Sequence, residues 1–240
     1  MARDDTAGTT KRVSVLMAVF NGEDYVADAV DSVLDELEPE DELIVVDDGS
    51  TDRTANVLSS YAGRIQVLHQ PNAGQSSALN AAVAMAWGEF LAFNDADDLW
   101  VAGRMREQLA ALARNAALDG VYGMSEQFVS PELDSETRAR IEPPKTLLVG
   151  QVLACLLVRR AGFERVGSFD GNLRYAHFHD WLQRSRTVGL VTSVTDNVVH
   201  RRRLHPANTG RIRRGERDAE VMQVLYRQIR ARKAGSVLLD

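Results

Sequence analysis

Apolar and polar positions alternate in blocks along the first hundred residues of the chain. Residues 13–20 are apolar at nearly every position, as in a strand buried on both faces of a parallel sheet. Val26, Ala29, Val30, Val33, Leu34 and Leu37 then recur at the spacing that lines one face of a helix. The same alternation predicts strands over 43–46, 65–68 and 90–93, with helices over 51–61 and 76–86. Strands separated by single helices imply an α/β fold with a doubly wound, mostly parallel sheet and right-handed crossovers.

The second half is less regular. Its pattern predicts a helix over 105–112, a strand over 121–124, and a polar, proline-bounded loop or lid over 131–144. Residues 147–158 are apolar and suit either a helix or a strand; 162–170 read as a turn-rich link. A helix over 180–188, a strand over 191–202 and a basic amphipathic helix over 217–233 follow. Residues 1–11 read as a disordered tail, 12–210 as one domain, and 211–240 as a helical C-terminal extension. Within that domain, 12–104 form one half and 105–210 the other.

Composition narrows the function. The chain has 240 residues, 45% of them hydrophobic and 26% charged, which is ordinary for a globular protein. Its net charge of -6 does not suit a nucleic-acid coat, although arginines crowd the stretch 201–232. A single cysteine, Cys155, excludes an intramolecular disulfide and a four-cysteine zinc site. The longest early apolar run is too short to span a bilayer and lacks a signal-peptide cleavage site. The expectation is a cytoplasmic protein, with peripheral membrane contact through the basic end left open.

In doubly wound sheets the ligand sits beyond the carboxyl ends of the strands. Polar groups fall at four such ends here: Asn21, Asp47-Asp48-Gly49-Ser50, Asn72, and Asn94-Asp95-Ala96-Asp97-Asp98. Asp52 or Ser50 could instead cap the second helix, and Gly49 and Gly74 could simply form turns. Asp95, Asp97 and Asp98 repel one another, so a site that keeps them ionised calls for a cation. Oxygen ligands favour Mg²⁺ or Mn²⁺. The competing reading is a solvated helix N-terminus, whose dipole favours carboxylates. The chain has neither G-x-G-x-x-G nor G-x-x-x-x-G-K-[ST], which argues against a dinucleotide cofactor and a P-loop.

Taken together these segments resemble the family 2 inverting glycosyltransferases, which share the GT-A fold. The resemblance rests on Ser14-Val-Leu-Met-Ala-Val-Phe-Asn21, Asp24-Tyr25 and Ile44-Val-Val-Asp-Asp-Gly-Ser-Thr-Asp52. It continues through Asn72-Ala-Gly74, Ala78-Leu-Asn80, Gly88-Glu-Phe90 and Asn94-Asp-Ala-Asp-Asp-Leu-Trp100, then Leu157-Val-Arg-Arg160 and Val166-Gly-Ser-Phe-Asp170. It spans roughly residues 12 to 205. It implies a nucleotide-diphosphate-sugar donor, a UDP-sugar being favoured. Asp47 would contact the base, with Phe20 and Asn21 lining its pocket, Asp95 would lie near the ribose, and Val19, Asn72 and Ala96 would belong to the same nucleotide-sugar site. Asp97 would bind the metal, with His205 as a further ligand and Arg203 offsetting phosphate charge. The resemblance makes 12–104 the nucleotide-sugar half and 105–210 the acceptor half.

The same resemblance implies a base that deprotonates the acceptor, and here the chain departs from the family. The segment Tyr175-Ala-His-Phe-His-Asp-Trp-Leu-Gln-Arg184 aligns either on the dipeptide before Trp181, which makes Asp180 the base, or on Arg184, which leaves Asp180 two residues late. Asp180 is the only carboxylate between Asp170 and Asp196, and His179 is the reserve. Asp180 could equally be a helix N-cap. His69 and His177 carry no assigned role, and Trp87, Trp100 and Trp181 read as packing residues. The acceptor could be a glycan, a lipid carrier, a peptide or a small molecule. Competing readings are a sugar nucleotidyltransferase and a non-catalytic sugar-nucleotide-binding protein. Acidic residues interrupt the basic helix, which therefore suits a solvated helix or an oligomer face better than nucleic acid, with an anionic lipid or a carrier as a further alternative.

Overall fold

The computed structural model describes residues 12–141, 151–208 and 214–236. The expected tail over 1–11, and the parts of other expected segments in 142–150, 209–213 and 237–240, lie outside the described residues. The first half alternates as its apolar pattern requires: β1 (Val13–Val19), α1 (Val26–Leu34), β2 (Glu42–Asp47), α2 (Thr54–Ser59), β3 (Gln66–His69), α3 (Gln75–Met85) and β4 (Phe90–Asp95). The second half adds β5 (Leu99–Trp100), α4 (Arg104–Arg114), β6 (Gly120–Val129), α5 (Ser135–Ala139), a 3-10 turn (Leu153–Cys155), β7 (Leu156–Arg159), α6 (Arg160–Val166), α7 (His177–Thr187), β8 (Thr192–Leu204) and α8 (Arg214–Ser236).

All eight strands join one sheet in the order β3-β2-β1-β4-β7-β6-β8-β5. The four strands of the first half pair in parallel. β7 runs antiparallel to both β4 and β6, and β5 antiparallel to β8, so the second half is mixed. Both faces are covered. Val13, Val15, Met17 and Val19 of β1 pack with α1, with Leu58 of α2 and with Met105 and Leu112 of α4. Leu16, Ile44 and Val46 face the other way, towards Leu79 of α3, Phe163 of α6 and Trp181 of α7. This two-sided burial explains the unbroken apolar runs in β1 and β2.

The structure departs from the sequence pattern in several places. The expected link over 162–170 opens with helix α6. Gly162 is there for close approach rather than for a turn, since a Cβ would lie 3.2 Å from Leu190 Cδ1 and from Asp119 Cβ. β6 extends to Val129 because its polar end pairs with β8, from Ser125↔His200 to Val129↔Leu204. The expected loop over 131–144 holds α5, capped by Asp134, which accepts from Thr137 N at 2.8 Å. α2 starts only at Thr54, whose N–H and hydroxyl both donate to Asp52. Trp100 and Trp181 are buried, but Trp87 is exposed and packs nowhere in the core. Among the described residues no helix is long and apolar enough to cross a membrane.

Candidate active site

Strand register builds the site's floor. Val19 of β1 pairs with Asp47 of β2, Asp47 with His69 of β3, and Ala18 with Asp95 of β4. The four parallel strands therefore end level, and the side chains that follow them share one rim. Asp47 is buried; its Oδ1 accepts from Ser50 N at 2.9 Å and its Oδ2 lies 3.1 Å from His69 Nδ1. Asp48 has a different task. Its carboxylate accepts from Ala73 N, Gly74 N and Gln70 Nε2, and so shapes the loop after β3 that carries Asn72.

The loops after β1 and β2 hold one another. Asn21 sits at φ 52, its N–H donates to Ser50 Oγ, and its Oδ1 accepts from Thr51 N at 2.8 Å. Gly22 N donates to Thr54 Oγ1, Glu23 N to Asp52, and Arg53 pairs with Glu23. Asn and Gly tolerate such left-handed or crowded backbone where other residues resist it. Phe20, just before this lacing, is 51% exposed, an apolar ring left at the rim.

The carboxylates after β4 have three different environments. Asp95 accepts from Gln75 Nε2 at 2.9 Å. Burial first, then the charges of Asp98 and Asp97, push its pKa up to about 7. Burial also acts on Asp97, but the hydrogen bond and charge of His205, with Asn208, outweigh it and lower the pKa. Asp97 Oδ2 lies 3.0 Å from His205 Nε2 and 3.1 Å from Asn208 Nδ2. Asp98 is fully internal. Its Oδ1 accepts from Arg203 N at 2.7 Å and its Oδ2 faces His200 Nε2 at 3.0 Å, while His200 Nδ1 reaches Ser125 Oγ. Burial and the neighbouring Asp97 raise Asp98.

β5 explains why residues a hundred positions apart meet here. Leu99↔Arg201 and Trp100↔His200 pair antiparallel, which clips the carboxylate loop to the end of β8. Arg203 is consumed by that junction. Its guanidinium donates to Asp97 O, Ser130 Oγ and Asp28 Oδ2, between the rings of Tyr25 and Phe128. The Tyr25 ring also packs on His205, centroids 4.4 Å apart.

The fit to a divalent cation can be judged from the donors. Asp97 and His205 face each other, Oδ2 to Nε2. Asp97 Oδ1 takes no side-chain hydrogen bond among the described residues, and the Asp97 side chain is 34% exposed. One carboxylate with one imidazole leaves most positions for phosphate and water, as Mg²⁺ sites usually do. The residues fit, although no group of three or more protein ligands gathers among the described residues.

α7 carries the remaining candidates. Asp180 pairs with Arg184 Nε at 2.8 Å, and Arg184 is in turn fixed on the carbonyls of Val166 and Ser168. Loss of solvent and the charge of Arg217 lower the pKa of His179. Among the described residues no hydrogen bond or ion pair joins α7 directly to the carboxylate loop. α3 connects them instead: Gln75 touches Asp95, while Ser76 and Asn80 hold the carbonyls of Leu173 and Phe169 ahead of α7.

The sequence profile of Glycosyl transferase family 2 matches residues 14–184, well over half of the chain. The chain belongs to this family. Among curated relatives, an uncharacterized glycosyltransferase of Rickettsia typhi, RT0329, is 30% identical over 82% of this chain and 65% of its own length. EpsJ of Bacillus subtilis, an uncharacterized glycosyltransferase, is 32% identical over 68% of this chain and 53% of its own. The chain thus spans less than two thirds of the length of these relatives. Two solved structures share its fold. S. aureus TarS in complex with UDP matches with a TM-score of 0.67 at 23% identity, over 89% of this chain and 64% of that one. The mannosyltransferase PcManGT from Pyrobaculum calidifontis, in complex with GDP-Man and Mn²⁺, matches with a TM-score of 0.66 at 20% identity, over 96% and 68%. The fold of this family 2 member is accordingly GT-A: a mixed eight-stranded sheet flanked by helices, with a helical C-terminus.

Several groups at the family 2 site escape a sequence reading. His69, given no role, orients Asp47; Gln75 holds Asp95; Asn208 braces Asp97; His200 partners Asp98. Only the level ends of β2 and β3 could have flagged His69 in advance.

Proposed function

We propose that this family 2 member transfers a sugar from a nucleotide-diphosphate donor to an acceptor hydroxyl, with inversion and with Mg²⁺ or Mn²⁺ as cofactor. The observation that carries the reading is the convergence of Asp47, Asp95 and Asp97 on one rim, with Asp97 braced by His205 and Asn208. A UDP-sugar is the favoured donor. The shared fold with TarS bound to UDP and to UDP-GlcNAc supports a nucleotide sugar, although PcManGT holds GDP-Man.

In this reading Asp47 accepts from the base, with Val19, Phe20, Asn21 and Asn72 around it, and Asp95 and Ala96 border the ribose. Asp97 and His205 would hold the cation, which would supply positive charge to offset that of the departing diphosphate. Arg203 contributes positive charge from behind Asp97. Asp180, with His179 in reserve, takes the proton as the acceptor oxygen bonds to the anomeric carbon and the donor's sugar–phosphate C–O bond breaks. Arg184 keeps that carboxylate in place. The acceptor, whether glycan, lipid carrier, peptide or small molecule, approaches from the α7 side. Cys155, a buried free thiol, suits the cytoplasm.

A thermal-shift screen of nucleoside diphosphates and their sugars, with and without Mn²⁺, followed by donor-hydrolysis assays, tests the proposal. A nucleotide-sugar shift that requires the metal, with turnover, supports it. No shift with any donor overturns it, and a shift without turnover, even with acceptors supplied, identifies a binding protein instead.

A further inference from the structure

Helix α7, which carries His179 and Asp180, begins without a cap of its own. Its N-cap residue is Ala176, and no side-chain cap bond is made there. Alanine is among the weakest residues at this position, since it offers no oxygen to the backbone N–H groups of a helix start. A carboxylate from α8 takes over that task. Glu220 Oε1 accepts from Arg174 N at 3.1 Å, and its Oε2 accepts from Tyr175 N at 2.8 Å and Ala176 N at 3.0 Å. Negative charge at the positive end of a helix is favourable in its own right.

Neighbouring contacts hold the carboxylate in place. Val224 is buried against Leu173 and Ala176, and Arg227 pairs with Asp170 at 3.4 Å. Glu220, Val224 and Arg227 are spaced by four and three residues, so one stripe of α8 meets residues 170–176. The bonds continue into α7: Ala176, whose N–H is held by Glu220, accepts from Asp180 N at 3.0 Å through its carbonyl. On the other side, Leu173 O accepts from Ser76 Oγ at 3.0 Å, next to Gln75, which reaches Asp95. The lead-in to α7 is thus held by α3 through a carbonyl and by α8 through three N–H groups.

We propose that Glu220 is a positioning residue, which caps α7 from another element and so sets where Asp180 stands relative to the rim of Asp95 and Asp97. The proposal rests on the reading of Asp180 as the base. A displacement of about 1 Å at such a group can slow a reaction about 100-fold, so a cap one peptide unit from the Asp180 backbone bond acts on transfer without touching substrate. Donor affinity, which belongs to the rim, does not depend on it.

Amide exchange and kinetics on the whole chain test this, with UDP or GDP and Mn²⁺ for affinity and the matching nucleotide sugars for turnover. In Glu220→Ala the amides of Arg174, Tyr175, Ala176 and Asp180 should exchange about fivefold faster or more. Turnover should fall about tenfold or more, with diphosphate affinity unchanged. Added formate, a carboxylate small enough for the vacated space, should restore part of the turnover, which it would not do for a residue that only packs. Glu220→Gln, equal in size, should show the same loss, and it decides the matter if Glu220→Ala does not fold. Full turnover in the folded variants, or affinity that falls in step with turnover, overturns the proposal. If the unaltered chain turns over no nucleotide sugar, the proposed function fails instead, and unchanged exchange at residues 174–176 is then the result that removes Glu220 from its role.

Discussion

His205 Nε2 stands 3.0 Å from Asp97 Oδ2, across 108 positions of sequence. The end of β8 is thereby fastened to the loop after β4, and a carboxylate is fixed with its charge at the rim rather than in the core. Asp98, one residue on, turns the other way and is sealed against His200. Adjacent aspartates thus have opposite duties, which gives two contrasting predictions.

Asp97→Asn should lower donor turnover by a factor on the order of 100 or more and abolish its dependence on Mn²⁺. The melting temperature should change little, since the amide can keep a hydrogen bond to His205 or Asn208. Turnover measured across a metal titration checks this. Normal metal-stimulated transfer by the variant would refute the assignment.

Asp98→Ala should act on stability instead. It strands His200 and the Arg203 N–H in a buried site, at a cost of about 3 kcal/mol. Chemical denaturation gives the number, and a loss under about 0.5 kcal/mol, the range of ordinary surface substitutions, would contradict the network described.

Asp180→Asn should preserve donor affinity and cut transfer by roughly 100-fold or more. The lost pairing with Arg184 is a partly buried i,i+4 pair on one helix, so its share of stability is about 1 kcal/mol. Parallel binding and single-turnover measurements separate the two effects. Unchanged transfer would shift the base to His179, whose replacement is the next experiment.

His177 sets an acid limit. Burial above all holds its pKa at about 4, with Glu220 opposing and His179 reinforcing. The unfolded chain protonates this histidine near ~6.5. Below that pH the unfolded state binds more protons than the folded one, so stability falls from about pH 6.5 down to about 4 and is unaffected above. The loss is on the order of 3 kcal/mol. His177→Gln should flatten that part of the stability–pH curve; an unaltered slope would show that the ring is not held neutral.

Gly49 has φ +78, and a Cβ there would come within 2.8 Å of Asn72 N. Gly49→Ala should cost roughly 2 kcal/mol and weaken donor binding by disturbing the loops around Asp47. Calorimetric titration with a nucleoside diphosphate provides the test.

The first half of the fold was legible because β1, β2 and β4 are buried on both faces and leave unbroken apolar runs. β5 was not, since two residues carry no periodicity. The polar end of β6 was missed for a related reason: Ser125, Glu126 and Gln127 are held by pairing to β8 rather than by burial. α6 hid behind Gly162, a residue equally at home in a turn. At the site, the carboxylates announced themselves by clustering. Their partners did not, because His69, Gln75, His200 and Asn208 reach them only through strand register and chain reversal, at separations of 22, 20, 102 and 111 residues.

The mutual lacing of the loops after β1 and β2 bears on how tightly any ligand can be held there. Asn21, Glu23, Ser50 and Asp52 find their partners within the fold itself, so the entropy of fixing those backbones is lost during folding and not at docking. A molecule arriving at that edge meets a finished mould, and its affinity reports the contacts it makes rather than the work of assembling them.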